Sequence, residues 1–204
     1  MPPIFKDISP HAAYALWHVG DSIEKLQNAY LDDIPDEIAN YHPNKQIEYL
    51  ASRILIRLLC KHVGIGYCGI FKDENGKPHL KESTHHISIS HSYPVVACMV
   101  DKQGPCGIDI ETPRKQLIKI QRKFLNKEEQ KFANNDLERL CQLWCAKEAL
   151  YKLYGRKKLV FPENLSVNFS GDGQLSGEIK IGGYHDSVAL QVENLDGHFV
   201  VYSL

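Results

Sequence analysis

From about Asp136 to Tyr154 the sequence, DLERLCQLWCAKEALYKLY, reads as a helix of about five turns that is apolar on nearly every side. With Trp144 at the centre of a helical wheel, Leu137, Leu140, Cys141 and Tyr151 share its side. Leu143, Ala146, Leu150 and Leu153 cover much of the neighbouring surface. A helix apolar nearly all round has to be buried. Gly155 ends it, and four segments with strand character follow, with turns between them: LSVNF (165–169), GEIKI (177–181), VALQV (188–192) and FVVYS (199–203). A further helical stretch is expected near 114–133.

The first half offers the same ingredients. Residues 44–62 place Ile47, Leu50, Ala51, Ile54, Leu55, Leu58 and Leu59 at the 3–4 spacing of an amphipathic helix, and Gly64 and Gly66 end it. DENGKPH (73–79) is a turn. HISISHS (86–92) alternates, with Ile87 and Ile89 on one face and Ser88, Ser90 and Ser92 on the other; Tyr93-Pro94 breaks it, and VVACMV (95–100) is the return arm. The expected fold class is α+β, with two similar halves, 1–104 and 105–204, each a helix packed on a small, mainly antiparallel sheet.

A chain of 204 residues is long enough for either half to bury a core. The formal net charge of -1 gives no global footprint for nucleic acid or a membrane surface. The N-terminus lacks a cationic stretch followed by an apolar one, and no apolar run approaches the ~20 residues a bilayer needs. The reading is a soluble, cytoplasmic protein. Its six cysteines have no paired spacing and read as reduced, buried thiols.

GIDIE (107–111) raises the chemical question. Side chains alternate along a strand, so Ile108 and Ile110 enter the core while Asp109 and Glu111 share the other face. Two carboxylates there repel unless positive charge lies between them. A solvated strand face is the ordinary reading of Asp-x-Glu. The sharper one is a hard cation such as Mg²⁺, which takes oxygen ligands and typically only one or two carboxylates. Glu148 supplies a third acid, emerging from the apolar helix with Lys152 one turn on. An intrahelical Glu148–Lys152 pair is the ordinary reading, worth ~0.2–0.5 kcal/mol when exposed. A buried carboxylate must be paired, neutralised or metal-bound.

Candidates for anionic oxygens are Lys77 in its Gly-Lys-Pro turn, Ser90, His91 and Ser92 at a strand end, and Lys45 and Arg53 on one face of the first helix. Each also has a bland reading as a surface cation, turn serine or satisfied histidine. His85 and His86 point opposite ways in a strand, which argues against zinc.

Taken in order, Gly-Lys-Pro (76–78), Ser-His-Ser (90–92), Gly-Ile-Asp-Ile-Glu (107–111) and Trp-Cys-Ala-Lys-Glu-Ala-Leu-Tyr-Lys (144–152) resemble the 4′-phosphopantetheinyl transferases of the surfactin-synthetase-activating (Sfp) type. The resemblance extends over most of the chain, including Arg-Lys-Phe-Leu-Asn-Lys-Glu at 122–128. One departure is Ser88, where the family often has asparagine. The resemblance implies a monomeric pseudo-dimer of two α+β halves with the active site at their interface. The first half would contact coenzyme A, and the second would carry the acids and dock the carrier. It implies holo-acyl-carrier-protein synthase chemistry, moving the 4′-phosphopantetheine arm of coenzyme A to a carrier-protein serine and releasing adenosine 3′,5′-bisphosphate. By the same resemblance Asp109, Glu111 and Glu148 would hold Mg²⁺, or Mn²⁺, Glu148 would deprotonate the serine, and Lys152 would stabilise pyrophosphate charge. Lys77, Ser90 and His91 would contact the coenzyme's phosphates, with Lys45 and Arg53 a looser match. The alternatives are a Mg²⁺-dependent nucleotide pyrophosphate hydrolase and a non-catalytic carrier-binding module.

Between Glu111 and Glu128 the charges are all basic: Arg114, Lys115, Lys119, Arg122, Lys123 and Lys127. Such runs are ordinarily solvated faces. Beside an acidic carrier protein this one would serve as a docking patch, with Leu117, Ile118 and Phe124 adding apolar contact.

Overall fold

The computed structural model describes residues 1–156, 158–169 and 174–204. Its contacts divide the chain into two units, Met1–Pro105 and Cys106–Leu204. Each packs helices on an antiparallel sheet, so the fold is α+β as expected.

The first unit contains β1 (Ile4–Asp7), β2 (Ala12–His18), α1 (Ile23–Ala29), α2 (Pro43–His62), β3 (Ile70–Lys72), β4 (Pro78–Leu80), β5 (His86–Ser92) and β6 (Val95–Asp101). Its main sheet has the order β1-β2-β6-β5, and β3 and β4 form a separate hairpin. Helix α2 covers the expected 44–62 and begins one residue earlier, at Pro43. Pro43 occupies the first turn, and His42 accepts from the Asn44 amide through Nδ1. It stops at Val63, followed by Gly64 in the left-handed region (φ 73°). Leu50, Ala51, Leu55 and Leu59 are buried in one core with Ala13, Ala15, Ile87, Val96 and Cys98 from the strands. In the hairpin turn, Asp73 Oδ1 accepts from the amides of Asn75 and Lys77. Both faces of β5 are covered, since Ser88 and Ser90 are buried as well as Ile87.

The second unit contains β7 (Ile108–Glu111), α3 (Gln116–Ile120), α4 (Lys127–Ala133), α5 (Leu137–Tyr154), α6 (Phe161–Asn164), β8 (Leu165–Phe169), β9 (Gln174–Ile181), β10 (Tyr184–Leu195) and β11 (His198–Ser203). The sheet order is β7-β11-β10-β9-β8. The expected helical stretch at 114–133 is two short helices with a 3₁₀ turn, Gln121–Lys123, between them. Asn126 causes the break. Its side chain accepts from the Glu129 amide at 2.9 Å while Glu129 Oε2 accepts from the Asn126 amide at 2.8 Å, a capping box that restarts the helix.

Helix α5 is capped by Asp136 and ends on Gly155 in the left-handed conformation (φ 67°). Leu140, Leu143, Ala146 and Leu150 are fully buried among the strands, whereas Trp144 and Tyr151 are only half-buried. Glycine lets the helix approach β7 closely. A Cβ on Gly107 would lie 2.0 Å from the Ala149 carbonyl oxygen.

One correction concerns the thiols. None of the six cysteines is in a disulfide, but Cys68 is exposed, because it sits in the irregular segment between α2 and β3 rather than in an apolar face.

Candidate functional site

Strand β7 is an edge strand among the described residues, paired with β11 in register Ile108↔Tyr202 to Glu111↔Phe199. Ile108 and Ile110 are buried, but the core packed against α5 takes in Phe199 and Val201, the register partners of Glu111 and Asp109, and not the two isoleucines. The other face does not open to water: Asp109 is 5 % exposed and Glu111 9 %. Helix α5 covers it. Buried carboxylates of this kind need partners.

Lys152 is one of them. Its Nζ donates to Asp109 Oδ1 at 2.7 Å and to the Ile108 carbonyl at 3.0 Å. The intrahelical Glu148–Lys152 pair therefore gives way to a pairing of Lys152 across to the strand. A strand carboxylate and a backbone carbonyl together satisfy an ammonium better than one side chain on the same helix.

Glu148 lies one turn before Lys152. Burial pushes its carboxyl up to about 7, the Asp109 charge adds to the rise, and Lys152 opposes it. Cys145, one turn earlier and fully buried, has its thiol pushed up first by burial. The hydrogen bond to Cys141 and the charges of Asp109 and Glu111 raise it further. Thus the α5 face carrying Cys145, Glu148 and Lys152 senses both strand acids.

The third acid is engaged differently. Glu111 Oε1 accepts from Arg114 Nη2 at 2.7 Å, and Oε2 accepts from the Thr112 amide at 3.1 Å. Among the described residues, no group of three or more His, Cys, Asp or Glu side chains is placed to hold a metal ion. Asp109 and Glu148 nonetheless fit a hard cation. They are oxygen donors close enough for the charge of one to raise the other, Lys152 already sets positive charge against Asp109, and Mg²⁺ typically needs no more than two protein carboxylates.

In the first unit, Lys45 Nζ pairs with Glu48 Oε2 at 2.8 Å, and His91 Nδ1 contacts the same oxygen at 3.2 Å. Glu48 is buried and was not singled out from sequence, although its position three residues after Lys45 on a helix was a usable signal. It brings Lys45 and His91 together. Arg53 is not part of that group. Its guanidinium lies over the Tyr49 ring at 3.4 Å and donates to the Tyr49 carbonyl and Ser52 Oγ. Lys77 is half-buried in the β3–β4 turn, and Ser90 is buried in β5.

The basic side chains after β7 (Arg114, Lys115, Lys119, Arg122, Lys123 and Lys127) are all exposed, with Arg114 tied to Glu111. The expected apolar contribution from Leu117 and Phe124 is corrected. Both are 1 % exposed and belong to the core, Phe124 edge-on to Trp144 at 5.0 Å, while Ile118 is half-buried against the same core. The 3₁₀ turn changes the helical phase and sends Phe124 inward.

Lys147 was also missed. It is fully buried, pairs with Glu129 Oε2 at 2.6 Å, and donates to the Leu165 carbonyl at 2.9 Å. Burial lowers its ammonium pKa and Glu129 opposes that shift. A lysine in an apolar helix ordinarily reads as one that snorkels to water.

Residues 105–202 match the family model of the 4′-phosphopantetheinyl transferase superfamily. That stretch is nearly the whole second unit and contains Asp109, Glu111, Lys147, Glu148 and Lys152. The match is to a superfamily of phosphopantetheinyl transferases and covers just under half of the chain. No curated protein matches the chain. No helix is long and apolar enough to cross a membrane among the described residues.

Proposed function

We propose that the protein is a 4′-phosphopantetheinyl transferase of the surfactin-synthetase-activating type that loads an apo carrier protein from coenzyme A. The observation that carries this reading is the grouping of Asp109, Glu148 and Lys152 across β7 and α5, inside the stretch that matches the superfamily.

In the reaction, a carrier serine oxygen attacks the phosphorus that bears the pantetheine arm. The new P–O bond forms as the bond to adenosine 3′,5′-bisphosphate breaks. Glu148 takes the serine proton as general base. Lys152 stays fixed to β7 and offers its charge to the pyrophosphate. Asp109 holds Lys152 in place and, with Glu148 and with Glu111 once released from Arg114, would hold the divalent ion. When bound, that ion neutralises charge on the leaving bisphosphate. Lys77, Ser90, His91, Lys45 and Arg53 are proposed as coenzyme contacts on the resemblance. The shared contact of Lys45 and His91 with Glu48 supports their acting as a pair.

Mass spectrometry of purified apo carriers incubated with the protein, coenzyme A and Mg²⁺ tests this. One serine should gain the arm, and EDTA should abolish the gain. Turnover of coenzyme A without a carrier would instead indicate a pyrophosphate hydrolase.

The exposed cations of the 114–127 segment are the proposed docking surface for an acidic carrier. Lys119→Glu with Arg122→Glu should raise the carrier KM about tenfold or more and reduce its salt dependence. An unchanged KM would remove the patch from the account.

A further inference from the structure

Helix α5 contacts all five strands of its sheet. Two lysines tie it to the two edge strands. At β7, Lys152 donates to the Ile108 carbonyl and Asp109. At β8, Lys147 donates to the Leu165 carbonyl at 2.9 Å and to Glu129 Oε2 at 2.6 Å. Glu129 Oε1 in turn accepts from the Val167 amide at 2.9 Å. Leu165 and Val167 are two residues apart, so their backbone groups leave the same side of β8. The Lys147 ammonium and the Glu129 carboxylate thus stand where the N–H and C=O of a sixth strand would be.

We propose that Lys147, backed by Glu129, is a positioning residue for Glu148. Lys147 and Lys152 are five residues apart, so they point about 140° apart around the helix. Contacts in two directions to opposite sheet edges fix both the rotation of α5 and its position along its axis. Glu148 follows Lys147 directly and lies between the two anchors. With the β8 anchor removed, a roll of about 20° would move a carboxyl ~5–6 Å from the axis by ~2 Å. Misplacement by ~1 Å is enough to cost ~10²-fold in rate. The proposal rests on the transferase reading for its kinetic consequence but not for its geometric one.

The test uses the full chain with Lys147→Met and Glu129→Leu combined. Removing both buried charges leaves neither charge unpaired, while the Asn126 and Val167 amides and the Leu165 carbonyl lose their side-chain partners. Crystal structures of wild type and variant should show the Glu148 carboxyl displaced from Asp109 by ~1 Å or more, and amide exchange at Val167 should accelerate at least tenfold. The kcat for arm transfer should fall ~10–100-fold with the KM for coenzyme A unchanged. A Glu148 displacement below ~0.5 Å, or wild-type kcat alongside fast Val167 exchange, would overturn the proposal and leave the pair as an edge cover only. A wild type that transfers no arm would sink the transferase reading, yet the displacement would still decide the positioning. Should the double variant fail to fold, Lys147→Arg keeps the charge but not the ammonium geometry. It is expected to lower kcat at constant KM, and an undiminished kcat would overturn the proposal.

Discussion

Glu148→Gln is expected to lower kcat for arm transfer by about 10²–10⁴-fold, the usual contribution of a positioned general base. The same substitution should make the metal-free protein more stable above pH 7. Burial first, and then the Asp109 charge, push the Glu148 carboxyl to about 7, above its ordinary value of 4.5. The folded state therefore binds the proton more tightly than the unfolded chain. The stability this supplies is fully present below pH 4.5 and is lost as pH rises through about 7. Glutamine carries no ionisation to lose. In EDTA, urea denaturation should give similar stabilities for the two proteins near pH 4.5. The variant should lead by about 1–2 kcal/mol at pH 8, after discounting for the half-exposed position of the carboxyl. Parallel pH profiles would show that Glu148 is not held in the uncharged form by its surroundings.

The second large effect is expected at Gly107→Ala. An added Cβ would lie 2.0 Å from the Ala149 carbonyl oxygen, 2.8 Å from its carbon and 3.1 Å from the Leu153 amide nitrogen. All three are backbone atoms of α5, so no side-chain rotation relieves the overlap. Either α5 retreats from β7, breaking the Lys152–Ile108 bond, or β7 leaves β11, where Gly107 is held by two bonds to Ser203. A loss of about 3 kcal/mol or more is expected, a large share of the 5–15 kcal/mol that stabilises a domain. For a unit of this size it corresponds to a fall in Tm of roughly 12–20 °C. Gly104→Ala is the control. Its added Cβ meets nothing within 4 Å among the described residues, so its Tm should stay close to wild type. Equal Tm values for the two variants would contradict the close approach of α5 to β7.

These two positions also show what the sequence made legible. The strand at 107–111 and the end of α5 at Gly155 are local signals, and the structure keeps both, although β7 is buried on both faces. The partner of Lys152 was not local. Spacing suggested Glu148, but β7 offers a carboxylate and a carbonyl together, and only the tertiary packing brings them within reach. Strand β2 escaped notice because AAYALW is apolar on both faces and lacks alternation. A continuous helix through Asn126 would turn Phe124 outward, but the Asn126 capping box breaks the phase. Lys147 and Glu129 were invisible for a related reason. A lysine and a glutamate 18 residues apart carry no pattern until the edge of β8 meets them.

The central claim is that Asp109 and Glu148 share one divalent ion when coenzyme A is bound. Titrating the protein with Mn²⁺ in the presence of coenzyme A, and following the free-ion electron paramagnetic resonance signal, reads that directly. One equivalent of Mn²⁺ should disappear into the wild-type complex. Asp109→Asn and Glu148→Gln should each weaken its uptake by more than the roughly 10–100-fold typical of outer-shell partners. Uptake of wild-type affinity by both variants would contradict the account.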